Sequence, residues 1–145
     1  MTWGNPPKLK SDPPKQGKKI TPEMLAISGS EAALQTALMA WAAFNTNIYP
    51  QLKYLVHIPN GGSRDIREGV SLKAQGVKRG VTDLMLPYPS KNFAGLFIEM
   101  KAGKNRLSDD QKDWLAWLSS VGYMTSVQWS WEGARDIIVD YLERT

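Results

Sequence analysis

The 145-residue sequence predicts one α/β domain, a small mixed β-sheet flanked by helices. Short apolar segments typical of strands alternate with longer segments of helical periodicity. Hydrophobic residues make up 42% of the chain and charged residues 22%, as in globular proteins. The longest mostly apolar segment, residues 32–44, is shorter than the ~20 residues that a membrane span needs, so no membrane span is expected.

The chain contains no cysteine and one histidine, His57. Disulfides, cysteine nucleophiles and thiolate zinc sites are therefore excluded, and so is a zinc site built on several imidazoles. A metal in this protein would have to be held mainly by carboxylates, which favours Mg²⁺ or Mn²⁺. The absence of cysteine is compatible with the cytoplasm, where we expect the protein to act.

The net charge of +4 is unevenly distributed. Residues 1–19 carry five lysines against one aspartate, and residues 60–80 carry five basic against two acidic residues. Basic segments beside a neutral body suit a polyanion partner, although solubility alone would also explain them. We expect residues 1–27 to form a flexible basic arm, either inert or in contact with nucleic acid, and residues 28–145 to form the folded domain.

The first half of the domain begins with a helix predicted over residues 28–45, where Ser28 and Glu31 can form a capping box. A strand over residues 52–58 and a short helix over residues 68–75 follow. The remaining pattern predicts strands at 81–86, 96–101 and 123–129, and helices at 108–120 and 130–142. The short connection between the second and third strands implies an antiparallel pair, and the helix before the fourth strand implies a parallel crossover.

Charged side chains interrupt the third predicted strand. Because side chains alternate between the faces of a strand, Glu99 and Lys101 share one face. If the second strand pairs with the third, Asp83 can lie beside Glu99, since facing side chains are about 5 Å apart. Two converging carboxylates attract a divalent cation, and a neighbouring ammonium can donate to a phosphate or polarise a water. These groups are suited to metal-assisted phosphodiester hydrolysis.

The spacing of Asp83, Glu99 and Lys101 resembles the D-x(n)-E-x-K pattern of the PD-(D/E)xK nucleases, whose core is restriction-endonuclease-like. Five blocks in order narrow the resemblance to the VRR-NUC family: residues 57–62, 72–77, 80–84, 95–101 and 107–111. Thr82 stands where that family commonly has proline. Proline supplies no ligand there, so activity is still expected.

The resemblance implies a role for each matching residue. Asp83 and Glu99 would bind the metal together with the main-chain carbonyl of Met100, and Glu31 would complete an outer metal site. Lys101 would orient or activate the attacking water. Gln111 would support Lys101 or the phosphate. Plainer roles stay open for two of them, because Glu31 can simply close the Ser28 capping box and Gln111 that of Ser108.

Residues expected to contact DNA lie on the first helix, in the glycine loop and in the basic segment: Gln35, Asn60, Gly61, Gly62, Arg64, Arg67, Lys73, Lys78 and Arg79. Small glycines let a phosphate approach backbone amides. The basic residues could equally form a solvated face. Trp114 and Trp117 are expected in the core or in a subunit interface rather than as base-stacking platforms.

The resemblance thus implies a Mg²⁺- or Mn²⁺-dependent DNA endonuclease. The small stand-alone form resembles phage and bacterial VRR-NUC proteins, which implies a homodimer acting on branched DNA such as Holliday (four-way) junctions; a phage-encoded chain would act inside its bacterial host cell. Two alternatives stay open. One is a non-catalytic DNA-binding protein on the same fold, and the other is a nuclease acting on flaps, linear duplex or RNA.

Overall fold

The computed structural model describes residues 18–59 and 66–144. In chain order it forms α1 (Pro22–Leu25), α2 (Glu31–Phe44), a 3₁₀ helix (Pro50–Tyr54), β1 (Val56–His57), α3 (Ile66–Ala74), β2 (Leu84–Leu86), β3 (Leu96–Met100), α4 (Asp109–Ser120), β4 (Met124–Gln128) and α5 (Trp131–Glu143). No helix within the described ranges is long and apolar enough to cross a membrane.

The four strands form one mixed sheet in the order β1-β2-β3-β4. The β1–β2 and β2–β3 pairs are antiparallel, and α4 connects β3 to the parallel strand β4. The predicted fold class and the predicted strand directions are therefore confirmed. Residues Ala94 and Gly95 bond to the chain around α4's C-terminal end, which closes the crossover.

The hydrophobic core lies on the sheet face covered by α2 and α5. Alternate residues of β3 point into it: Leu96, Ile98 and Met100 are each at most 1% exposed. Leu38 and Tyr141 pack against them from the two helices. The other face of β3 carries Phe97 and Glu99, so the alternation that fills the core also turns a carboxylate toward α4.

Serine caps define where three of the helices begin. Ser108 and Gln111 form a reciprocal capping box at α4, and Ser130 accepts the Gly133 N–H at α5, as the sequence predicts. At α2 the cap is Ser30 rather than Ser28, because the Ser30 hydroxyl accepts the Ala33 N–H at 3.1 Å. The predicted Ser28–Glu31 box is therefore wrong, and Glu31 begins the helix with its side chain available for other contacts.

In the segment predicted as a strand over residues 52–58, residues 52–54 belong to a 3₁₀ helix, and only Val56 and His57 pair with β2. Pro50 begins that helix, since its fixed backbone angle suits a helical turn and it has no N–H for a strand. Leu52 and Leu55 are both buried, which is the three-residue spacing of a 3₁₀ turn rather than strand alternation.

The predicted arm and loop differ in part from the structure or lie outside it. Helix α1 falls within residues 1–27, and Leu25 and Ala26 pack against the core, so this end of the expected arm is folded. Its cap is Thr21, whose hydroxyl accepts the Met24 N–H. Residues 1–17 and 60–65 lie outside the described residues, so the expected flexible arm and the DNA contacts of Asn60, Gly61, Gly62 and Arg64 stay predictions.

Candidate active site

Asp83 and Glu99 face each other across the β2–β3 pair. The register Leu84–Ile98 places the preceding residue, Asp83, opposite Glu99. The Asp83 N–H donates to Glu99 Oε2 at 3.3 Å, and Asp83 Oδ2 accepts the Met100 N–H at 2.9 Å. Each acid is thus held by the backbone of the other strand, and the expected convergence of the two carboxylates is observed.

Glu99 is 1% exposed, and its pKa is raised from 4.5 to about 7. Burial is the main cause, because it penalises the charged form, and the Asp83 carboxylate adds repulsion. The Lys101 ammonium and the Asp83 N–H oppose this rise. Burial and the second carboxylate both disfavour the ionised form of Glu99, and a bound cation would stabilise that form.

Lys101 is buried at the end of β3, where its ammonium lies between two acids. Its Nζ is 3.6 Å from Glu99 Oε1 and 3.9 Å from Glu31 Oε1. The side chain is 8% exposed, so the charge is largely removed from water and depends on these acids. Helix α2 therefore brings a carboxylate next to Lys101 through its first residue, Glu31.

Asn105 is a site residue that sequence analysis missed. It lies in the turn after β3, and its Nδ2 donates to Glu31 Oε1 at 3.2 Å. The Trp129 indole N–H donates to the Asn105 carbonyl at 3.1 Å and so fastens the turn to the end of β4. The only signal in the sequence was weak: a turn containing Gly103 follows the E-x-K segment directly and brings the chain back near Lys101.

Gln111 closes the Ser108 capping box and also contacts Glu99, while its expected support of Lys101 or the phosphate stays a prediction. Its Oε1 accepts the Ser108 N–H at 2.9 Å, which closes the capping box. Its Nε2 donates to Glu99 Oε1 at 2.7 Å. The start of α4 thereby sets the orientation of the buried carboxylate, while Lys101 approaches the same oxygen.

The backbone of Asp83 is held from the β1 side. Its carbonyl accepts the Ile58 N–H at 2.7 Å and lies 2.8 Å from His57 Nδ1, which donates because a carbonyl can only accept. Thr82, the residue before Asp83, is 1% exposed, and its hydroxyl has no hydrogen-bond partner in the described part of the chain. Burying this hydroxyl without a partner lowers the stability of the fold next to Asp83.

Three of the expected DNA-contacting residues line one cleft beside this site. Lys73 on α3 and the exposed pair Lys78 and Arg79 border it, and Trp114 on α4 forms part of its wall. Arg67 is exposed on α3, and Gln35 is partly exposed one helical turn after Glu31. Trp117 is 57% exposed, so its expected place in the core of this chain is wrong.

The donor set fits a hard divalent cation only in part. Asp83 and Glu99 offer carboxylate oxygens side by side, which is the ligand chemistry such ions prefer. Within residues 18–59 and 66–144, no three Asp, Glu, His or Cys side chains are grouped closely enough to hold one ion together. Glu31 lies 3.9 Å from Lys101 Nζ and is not grouped with the acid pair, so its outer metal role and that of the Met100 carbonyl stay predictions.

Comparison with known proteins agrees with this geometry. The VRR-NUC domain model matches residues 21–128, which includes all of the site residues described above except Trp129. A solved structure described as a VRR_NUC domain protein has a TM-score of 0.67 to this chain and is 26% identical to it, covering 79% of this chain and 88% of its own. No curated protein matches the chain.

The mixed sheet with its helices fits the restriction-endonuclease-like fold expected for this family. The chain therefore belongs to the VRR-NUC family of nuclease-type domains.

Proposed function

We propose that this chain is a divalent-metal-dependent DNA endonuclease that hydrolyses phosphodiester bonds. The observation that carries the proposal is the pairing of Asp83 with Glu99 across two strands, with Lys101 3.6 Å from Glu99. Membership of a nuclease-type family supports the reaction class. A protein that only binds DNA has no use for a buried and a partly buried acid turned toward each other at a polyanion site.

Mg²⁺ or Mn²⁺ is the proposed cofactor. Asp83, Glu99 and the Met100 carbonyl would hold it, and Glu31 would form its outer side. When bound, the ion would supply Lewis-acid stabilisation of the charge that develops on the scissile phosphate. Its positive charge would also favour the ionised form of Glu99, whose pKa is raised by burial and by the Asp83 carboxylate.

The protein's own groups would prepare the phosphate and the water. Lys101 is a buried donor fixed between Glu31 and Glu99, so its N–H bonds can orient a water or a phosphate oxygen. In hydrolysis the water oxygen bonds to phosphorus, the bond to the leaving sugar oxygen breaks, and that oxygen takes up a proton. Gln111 holds Glu99 in place, which preserves the geometry through the reaction.

DNA would reach the site along the basic segment. Lys73, Lys78 and Arg79 are exposed and line the cleft. Only residues 80–82 separate Arg79 from Asp83, so these cations precede the acid pair closely in the chain. Positively charged side chains at such positions bind the phosphate backbone without reading sequence. Arg67, Gln35 and the glycine loop at residues 60–62 would extend the contact.

Branched DNA such as four-way junctions is the proposed substrate, and a homodimer the proposed assembly. A twofold dimer carries two identical sites, which suits two cuts in a symmetric junction. Exposed apolar side chains on α4 and after β4 provide surface for an interface: Trp117, Val121 and Trp129 are 57%, 47% and 49% exposed. Light scattering over a range of concentrations tests the dimer, and a constant mass near 16.2 kDa would exclude it.

Cleavage of labelled DNA tests the reaction. Four-way junction, flap and linear duplex are incubated with Mg²⁺, Mn²⁺ or a chelator, using wild type, Asp83→Ala, Glu99→Gln and Lys101→Met. We expect metal-dependent cutting that each variant lowers at least about 1,000-fold. Asp136→Asn, an exposed acid on α5, is the matched control and should cut normally.

The outcomes separate the alternatives. Full activity in Asp83→Ala would disprove the site assignment. Tight DNA binding by the wild type without cutting in either metal would favour a non-catalytic DNA-binding protein, and RNA would be the next substrate to test. The pattern of cuts among the three DNAs decides between junctions, flaps and duplex.

A further inference from the structure

A cleft of about 790 Å³ lies between α3 and α4, next to the acid pair but separate from it. Its walls combine apolar Leu72 and Val77, the cations Lys73, Lys78 and Arg79, and the indole of Trp114. Helix α3 has no fully buried side chain, so the cleft is open on that side rather than filled by core packing.

Trp114 is held in a fixed orientation on the α4 wall. Its indole N–H donates to the Arg79 carbonyl at 3.0 Å, and its ring meets the Trp117 ring edge to face, with centroids 6.2 Å apart. These two contacts fix the indole, and the side chain is still partly exposed where it lines the cleft. A rigid aromatic wall is the feature that proteins use to stack a nucleobase.

The charges around the cleft suit a nucleotide rather than a purely anionic ligand. Three cations meet two acids, Asp110 and Asp113. Arg79 Nε lies 3.8 Å from Asp110 Oδ2, so part of this charge is already compensated. Lys73 and Lys78 can contact phosphates, while carboxylate oxygens can accept from the amino groups of a base.

The first turn of α4 joins the cleft to the active site. Gly80 has a φ of +78° and lies so close to Asp110 that a Cβ would stand 2.5 Å from the Asp110 carbonyl carbon. This contact fixes the chain that runs from the cleft to Asp83. The next residue of α4, Gln111, donates to Glu99. A DNA strand with one nucleotide in the cleft would therefore place its neighbouring phosphates near Asp83 and Glu99.

We propose that this cleft binds an unpaired nucleotide of the DNA substrate, with the base against Trp114 and the adjoining phosphates on Lys73 and Lys78. Paired bases are stacked inside the duplex and cannot enter a cleft, whereas an unpaired base can. The proposal rests on the proposed function in taking DNA as the substrate. It adds that a base left unpaired in a flap, or opened at the branch point of a junction, is recognised directly.

Binding without cleavage tests this proposal. Affinities are measured in chelator for a blunt duplex and for the same duplex carrying a short single-stranded extension. We expect the wild type to prefer the extended DNA about tenfold, within the range measured for one base stacked on an aromatic ring. Trp114→Leu should abolish that preference, and Trp114→Phe, which restores an aromatic ring, should keep most of it. Ser119→Ala, at an exposed position on the same helix that does not line the cleft, is the control and should retain the preference.

A second variant covers the case in which Trp114→Leu fails to fold. Gly69→Leu places an aliphatic side chain in the cleft from the α3 wall, where an added Cβ meets no atom within 4 Å, and should remove the preference while binding of blunt duplex persists. An unchanged preference in folded Trp114→Leu or in Gly69→Leu would overturn the proposal. The failure of the proposed function is distinguishable, because it is a lack of cutting by the wild type in Mg²⁺ and Mn²⁺ whatever the binding preference.

Discussion

Gln111 Nε2 donates to Glu99 Oε1 at 2.7 Å, and this single bond connects the cap of a helix to the buried acid of the site. The other end of the same amide closes the Ser108 capping box. The start of α4 and the orientation of Glu99 are therefore coupled. Two substitutions can separate the cap from the contact with Glu99.

Gln111→Glu should lower cleavage at least about tenfold while the cap persists. A glutamate oxygen can still accept the Ser108 N–H, but the Nε2 donor to Glu99 is replaced by a repelling oxygen. Ser108→Ala does the reverse: it removes the hydroxyl that accepts the Gln111 N–H, costs about 1 kcal/mol of stability, and leaves the donor to Glu99 in place. Steady-state cleavage and urea unfolding measure both effects. Equal losses of activity in the two variants would show that Gln111 acts only through the helix cap and not through its bond to Glu99.

Glu99 should make the metal-free protein less stable as the pH rises. Its folded pKa of about 7 lies above the ordinary 4.5, so its contribution to stability is fully present below 4.5 and is lost as the pH rises through about 7. The difference corresponds to at most about 3 kcal/mol. We expect the stability of wild type minus that of Glu99→Gln to fall by up to this amount between pH 4.5 and pH 8, measured by urea unfolding in chelator. A flat difference would show that Glu99 titrates normally.

Thr82→Val should leave the protein as stable as the wild type or raise its stability by up to about 1 kcal/mol. Valine keeps the shape of threonine and removes a buried hydroxyl that has no partner among the described residues. Thr125→Val, at a partly exposed position on β4, is the control and should change stability by less than about 0.5 kcal/mol. Thermal unfolding measures both. A loss above 1 kcal/mol in Thr82→Val would mean that the hydroxyl does have a partner.

Asn105→Ala should raise the Mg²⁺ concentration needed for half-maximal cleavage, by about tenfold, because Glu31 loses the amide donor that holds it beside Lys101. The fold should be little affected, since Asn105 is exposed. Calorimetric titration with Mn²⁺ gives an independent readout of ion binding. Lys104→Ala, at the neighbouring exposed position, is the control. Unchanged metal dependence in Asn105→Ala would show that the hydrogen bond from Asn105 to Glu31 does not affect ion binding.

The sequence by itself determined the parts of this protein that depend on nearby residues. Strand alternation over residues 96–100 already separates Leu96, Ile98 and Met100 from Glu99, because side-chain direction in a strand has a period of two. The capping box at Ser108 involves residues three apart, and the pairing of Asp83 with Glu99 follows from a short antiparallel connection. These local rules were sufficient to predict the fold class and the acid pair.

Only the tertiary structure decided which distant groups meet. Glu31 and Asn105 are 74 residues apart and touch because helix packing brings the start of α2 to the turn after β3. Pro50–Tyr54 forms a 3₁₀ helix because that turn buries both Leu52 and Leu55 against the core, and the strand is confined to Val56–His57. The cleft exists only where α3 and α4 face each other. Contacts of this kind depend on packing between elements, and no short window of sequence contains both partners.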